Sequence, residues 1–374
     1  MRLRLKPWLW LLTCAGLVLG WLAARGPVEA GDRVTVRGNY YREASTRVLQ
    51  PMVTFTKELP DEKLVIEAEY LLDAISSASI GAGAEVLGGD VVFTELRHET
   101  SARIGSKLGA WSLGGFFKYS TETDYRSRAF GVSLARELWQ KNVTLSLSYA
   151  ANLDSIFRIV PGDKVPWEST GDTNLLKVHY LGLGYTQTFH KTVVAGVGLE
   201  GTLSNGPQDN PYRKVVNAEA ERHPLERKRI APNAWVRWMV VPKHLTLEPM
   251  YRFYRDDWGI TAHSFDGRVH LRFLDHWRFR MRYRYYTQSG ASFWREDNQY
   301  LTTDAYITAD PKMSEFHSHT PGAQLTWELD GLAGRSDKLG WLRGAWIQAT
   351  YNHVIQTNRF GNARLGSLAF SLAF

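Results

Sequence analysis

Residues 277–286 read WRFRMRYRYY, with arginine at every second position: Arg278, Arg280, Arg282 and Arg284. A period of two is the period of a β-strand, so these arginines share one face while Trp277, Phe279, Met281, Tyr283 and Tyr285 share the other. Both faces need a home. A soluble sheet buries the aromatic side and wets the basic side; a barrel in lipid shows the aromatics to hydrocarbon and the arginines to a watery lumen.

The amino-terminal residues point to export. Arg2, Arg4 and Lys6 precede an apolar run from Trp8 to Ala24, followed by Pro27 and the small-residue pattern Val28-Glu29-Ala30. This pattern predicts a secretory signal peptide over residues 1–30, cleaved after Ala30. The run also approaches the minimum of about 17 residues for a membrane span, so an uncleaved inner-membrane anchor is the alternative. Cys14, the single cysteine, lies in this segment, which leaves a mature chain without disulfides or thiolate-bound metal. LLTC is a poor lipoprotein box, because Thr13 is a weak residue before the cysteine and the apolar run continues past it.

Beyond Gly31 no apolar stretch is long enough for a transmembrane helix. Mean hydropathy is −0.30, yet 13% of residues are aromatic, a combination that suits a β-barrel. Without the signal peptide 41 basic side chains face 37 acidic ones, so global charge says little and its arrangement matters more.

Periodicity divides residues 31–374 into about sixteen segments of roughly 10 to 15 residues with alternating apolar and polar positions. In Asn142–Asn152, Val143, Leu145, Leu147, Tyr149 and Ala151 form one face, with Thr144, Ser146, Ser148 and Ala150 on the other. Trp111 to Tyr119, Val193 to Leu203 and Leu64 to Leu72 repeat the pattern. The opposite rows are polar or small, as in Glu67, Glu69 and Asp73, then Glu95, Arg97, Glu99, Ser101 and Arg103. A barrel alternates short periplasmic turns with longer external loops. Short links are expected at 59–63, around Gly105, and at 139–142, 190–191, 241–244 and 274–277; long ones at 74–90, 154–173, 205–228 and 290–312. The segment 331–340 breaks the rule by its length. Glycine and proline gather at the links, and no linker or repeat divides the chain. The last residues, ARLGSLAFSLAF, alternate Leu368, Phe370, Leu372 and Phe374, as in the carboxy-terminal signal that bacterial barrels present to their insertion machinery.

Several stretches resemble the bacterial outer-membrane barrels catalogued as domain-of-unknown-function family 3570. They are DAISSAS (73–79), STETDYRS (120–127), NPYRKV (210–215) with ERHPLERKR (221–229), YRFYRDDWGITAHSF (251–265) and RYRYYTQSGASFW (282–294). The resemblance implies a Gram-negative outer-membrane location and carries no activity that could be assigned to a residue.

On the barrel reading Phe265, Val269, Leu271 and Phe273 face lipid, whereas Asp266, Arg268, His270 and Arg272 face inward beside the arginine row, with Glu248 and Arg252 on the strand before. Same-face residues rise about 6.6 to 6.8 Å, so the four arginines climb roughly 20 Å. Such a column can draw anions along a pore. Equally, it can pair across the lumen with Glu67, Glu69, Glu95 and Glu99 and brace a narrow barrel. YRDDWG (254–259) reads as an external turn, with Tyr251, Phe253 and Trp258 in an interfacial aromatic girdle. Asp256 and Asp257 are adjacent and so point apart on a strand, a poor arrangement for calcium or acid catalysis. Glu315, His317 and His319 in EFHSHT have metal-ligand spacing but no clear fourth ligand, and read as solvated loop residues.

The expected fold is all-β: a single transmembrane antiparallel β-barrel of about sixteen strands. The expected function is a porin-like channel for small polar or anionic solutes, its lumen lined by Arg268, Arg272, Arg278, Arg280, Arg282, Arg284, Glu67 and Glu69. The alternative is a non-conducting scaffold that houses or docks a periplasmic protein, a redox protein being one such partner. Nothing matches a nucleophile motif, so no enzyme, cofactor or metal is implied. The partners are outer-membrane lipid and the barrel-insertion machinery, not nucleic acid.

Overall fold

The computed structural model describes residues 31–44, 46–59, 63–77, 93–160, 162–168, 173–215, 220–296, 299–301 and 303–374. The expected signal peptide, and most of the expected external link 74–90, lie outside them. The alternating rows form strands β1 (Arg33–Arg42), β2 (Thr46–Leu59), β3 (Leu64–Ser77), β4 (Phe93–Leu108), β5 (Trp111–Thr121) and β6 (Tyr125–Leu138). They continue as β7 (Val143–Val160), β8 (Asp163–Pro166), β9 (Leu175–His190), β10 (Val193–Asn205), β11 (Glu226–Val241) and β12 (Leu245–Asp256). The last are β13 (Thr261–Phe273), β14 (Trp277–Gln288), β15 (Phe316–Glu328), β16 (Trp346–Gln356) and β17 (Ala363–Ala373).

Each strand except β8 pairs antiparallel with its neighbours, and β1 closes the ring against β17 from Arg33↔Ala373 to Arg42↔Arg364. Closure leaves no open edge, which hydrocarbon demands because it offers no hydrogen bonds to a bare backbone. Strand β8 stands apart: it folds back on the outer end of β7 as a short hairpin, and β7 pairs directly with β9. The barrel therefore has sixteen strands, as the sequence predicts. A count of sixteen leaves an aqueous interior rather than a packed one. Among the described residues no helix is long and apolar enough to cross a membrane.

The outer face shows why the chain folds this way round. Phe117, Val132, Leu181, Val197, Phe265, Met281 and Tyr283 remain largely exposed on one continuous row set, which only hydrocarbon can cover favourably. The charged rows point inward by default.

Links alternate as expected, except that residues 154–160 and 163–166 of the expected link 154–173 extend β7 and form β8. One end carries tight turns: in the three-residue link between the paired Phe273 and Trp277, Leu274 and Asp275 both adopt φ near +50° (49° and 50°), left-handed geometry that suits the strand twist of a short hairpin. The turn expected around Gly105 lies instead at Gly109–Ala110. Gly105 sits inside β4, paired with Val65 and Gly114, while Gly109 takes φ +62°, a conformation that suits a residue without Cβ. The long link after β15 is ordered: helix α1 (Asp330–Ala333) and a 3₁₀ turn (Asp337–Leu342) bury Leu329, Ala333 and Leu342 against Val34 and Leu372. Of the four residues in the expected insertion signal, Leu368 lies exposed on the outer face and Leu372 is sealed beneath this segment.

Candidate functional site

The inner face of β10–β15 gathers Arg237, Arg252, Arg268, Arg272, Arg278, Arg280, Arg282 and Arg284, and with them Glu200, Glu248, Asp266 and Glu328. That is eight guanidinium groups against four carboxylates, or ten against five once Arg227, Arg229 and Asp256 at the covered top of the same wall are included. Register explains how so many like charges coexist. Arg268 stands directly opposite Arg282, and Arg272 opposite Arg278, contacts that repel unless a carboxylate intervenes. Asp266 supplies it to the first pair, 3.1 Å from Arg268 and 2.5 Å from Arg282. Glu248 adds a second contact to Arg268 at 2.7 Å and bridges on to Arg237 at 2.9 Å. Glu328 serves the lower pair, 2.6 Å from Arg278 and 3.6 Å from Arg272.

Among the described residues two members of the column lack a carboxylate contact of this kind. Arg280 donates to Gln324 at 2.5 Å, and Arg284 donates to Ser264 at 3.2 Å while lying 5.3 Å from the ring centre of Tyr286. Arg280 is therefore the least compensated charge near mid-height.

Glu67 and Glu69 also face inward, but they do not neutralise this column. Glu67 pairs with Arg103 on the adjacent strand and Glu69 accepts from Thr54 at 3.1 Å. Asp73 pairs with Arg97, and Glu99 lies 3.4 Å from Lys118. Glu95 accepts from the backbone and hydroxyl of Thr123 at 2.7 and 2.6 Å. The expected pairing across the lumen is replaced by pairing along each wall, because neighbouring strands lie about 4.8 Å apart whereas a lumen separates opposite walls. Glu328 and Glu200 were not singled out from sequence; their signal is parity, since each sits on the polar row of its strand.

The column is wet at its lower end and covered at its upper end. Arg278 is 54% exposed and Arg282 30%, while Asp256, higher on the same wall, is fully buried. Asp256 accepts from Arg227 (2.5 and 2.9 Å), Tyr254 (2.7 Å) and the backbone of Ile260 (2.9 Å). Asp257 points away and accepts from the backbone of Lys228, so the adjacent carboxylates diverge as strand geometry requires.

Two outer loops provide the cover. Gln288 on β14 donates to the carbonyls of Lys312 and Ser314, and Arg229 on β11 donates to Gln208, so the described residues of loops 206–225 and 289–315 turn back against the inner wall. They are joined by a buried cluster. Glu221 receives Arg213 at 2.9 Å and Thr308 at 2.5 Å, and His223 bridges to Thr308 at 3.0 Å. Burial would raise the pKa of Glu221, but the His223 hydrogen bond, the charge of Arg213 and the Thr308 hydroxyl hold it down at about 2.

Trp258 belongs to this cover, not to an interfacial girdle. It is 3% exposed, with Arg227 stacked 4.2 Å from its ring and its edge against His223 and Phe293. The sequence places it beside Tyr251 and Phe253, but turn 257–260 swings it beneath the loops. His317 and His319 are likewise not loop residues: they open β15 on the outer face, and His319 Nδ1 lies 2.6 Å from the Tyr283 hydroxyl. Among the described residues no group of three or more His, Asp or Glu could hold a metal ion.

Comparison with solved structures supports the architecture. The chain is similar to CdiB from Acinetobacter baumannii at TM-score 0.53 and 7% identity, covering 91% of this chain and 60% of that one. It is similar to a bacterial polysaccharide outer-membrane secretin at TM-score 0.50 and 7% identity, over 92% and 98% of the two chains. Against OccK2 from Pseudomonas aeruginosa, solved with glucuronate, the TM-score is 0.45 at 9% identity over 94% and 100%. A search of curated proteins finds no match. The fold is that of an outer-membrane barrel, and with residues 89–339 matching its family profile the chain belongs to the family described as "Protein of unknown function (DUF3570)".

Proposed function

We propose that the protein is a porin-like channel of the Gram-negative outer membrane that passes small polar solutes with a bias toward anions. One observation carries this reading: below the loop-covered top, eight arginines stand against four carboxylates on one inner wall, with the lower arginines open to solvent. The opposite wall sets Glu67, Glu69, Asp73, Glu95 and Glu99 against Arg97, Arg103 and Lys118, a smaller excess of the other sign, so the lumen as a whole stays positive. Screening confines the effect to roughly 8 Å at physiological salt, so the bias is expected to grow as salt is lowered. Arg268, Arg272, Arg278, Arg280, Arg282 and Arg284 line the path, and Glu67 and Glu69 line its far side. Planar-bilayer conductance tests it: unitary currents with a reversal potential on the anion side are expected. Absence of current from pure protein, or an unchanged reversal potential in Arg280→Glu, would reject it.

The covered upper end of the arginine wall favours a second reading, a barrel closed at its outer mouth that docks a periplasmic protein from below. A stoichiometric partner in gently extracted outer membranes, together with no conductance, would favour that reading instead.

A further inference from the structure

The outer face carries a repeated side-chain pair. The hydroxyls of Tyr70, Tyr149, Tyr251 and Tyr283 lie 2.8, 2.8, 2.7 and 2.6 Å from Nδ1 of His98, His179, His263 and His319. Each tyrosine is the seventh residue of its strand, counted from Leu64, Val143, Leu245 and Trp277. Each histidine stands opposite the residue two further along: Leu72↔His98, Ala151↔His179, Phe253↔His263 and Tyr285↔His319. Four hairpins thus place the same pair at the same height, on a face otherwise apolar.

That height is informative. Eight steps along a strand are about 27 Å, or about 20 Å along the barrel axis at the usual tilt, near the top of an apolar band about 25 Å tall. With the tyrosine hydroxyl donating to Nδ1, the ring carries its proton on Nε2, the nitrogen left on the outer surface. Among the described residues these four rings make no other hydrogen bond. Just above, the outer rows bring Arg126, Arg128, Lys177, Lys228 and Arg255 against Glu226. Arg126 lies in the same cross-strand row as His98, through Thr121, and Lys177 is two residues beyond His179. The opposite rim differs: among the described residues it carries no Tyr–His pair, and it exposes Trp111, Trp139, Trp238 and Leu274 beside Arg136 and the turn lysines Lys141, Lys191 and Lys243.

We propose that the Tyr–His ring and the basic row above it bind the phosphate groups of outer-leaflet lipid, so that the barrel is held at a set depth by phosphorylated headgroups on one side only. The imidazole Nε2–H donates to phosphate oxygen, and the arginines and lysines supply the charge. This rests on the position of the girdle and not on conduction through the lumen.

The test reconstitutes the full barrel in phosphatidylcholine vesicles with and without phosphatidic acid, a phosphate monoester, and measures the urea midpoint of unfolding. Phosphatidic acid is expected to raise the midpoint, phosphatidylglycerol to raise it less, and the fourfold variant H98F/H179F/H263F/H319F to lose most of the difference between the two. An equal rise in that variant, or the same rise from inorganic phosphate without anionic lipid, would overturn the proposal. Should the variant fail to insert, native mass spectrometry of the unaltered protein decides: preferential retention of phosphatidic acid over phosphatidylglycerol is expected, and equal retention overturns it.

Discussion

The arginine wall centred on β13 and the acidic wall centred on β4 stand eight strands apart in either direction around the ring, so they face each other across the lumen. Their difference teaches how a barrel keeps charge. On each wall the partners sit on the same or nearby strands: Asp266 with Arg282, Glu248 with Arg268, Glu67 with Arg103, Asp73 with Arg97. Attraction falls with distance and is further screened by solvent in the lumen, so each wall is neutralised only as far as its own strands allow. The surplus on each remains, positive on one side and negative on the other, and on the channel reading a solute passing between them meets a field directed across its path.

The comparison breaks most severely at the covered top of the basic wall. Asp256→Ala strands the Arg227 guanidinium in a buried site and removes the acceptor for Tyr254 and Ile260; a loss of about 3–5 kcal/mol is expected, read from urea unfolding in bilayers. Next is acid. Glu221, held at about 2 instead of 4.5, contributes stability that is complete above pH 4.5 and is lost as pH falls toward 2. About 3 kcal/mol should disappear over that window, visible as release of loops 206–225 and 289–315 to limited proteolysis, and E221Q should flatten the profile. Asp266→Asn then sharpens the contrast between the walls, since it leaves Arg282 without its carboxylate and Arg268 with Glu248 alone. A cost of about 1–3 kcal/mol and a stronger anion bias in reversal potential are expected together.

Smaller effects follow where pairing is weak or exposed. Among the described residues Arg280 bonds only a neutral amide, so Arg280→Glu should leave unfolding nearly unchanged while lowering the anion-to-cation permeability ratio roughly threefold at low salt, the size expected of well-screened charges. Arg103→Ala removes a half-exposed pair on the acidic wall and should cost less than about 1 kcal/mol, with a slight shift of the reversal potential toward cations.

Much of this was legible from alternation alone. The two faces of WRFRMRYRYY, the inward placement of Glu67 and Glu69, and the alternation of short and long links all follow from the two-residue period and the need of each row for its own solvent. Other features were not. Trp258 reads as one more aromatic near a turn, yet it is buried because loops distant in sequence, at His223 and Phe293, meet over it. Similarly, Tyr283 and His319 are 36 residues apart, and nothing local announces that they touch.

The sequence by itself determined that the chain is a barrel of about sixteen strands and which residues of each strand face inward, because side-chain parity is a local property of an extended backbone. Only the tertiary structure decided which carboxylate serves which arginine, which arginine is left without one, and which loops cover the outer end. Those depend on register and ring position, set by closure of β1 on β17 and by contacts between segments that no local pattern relates.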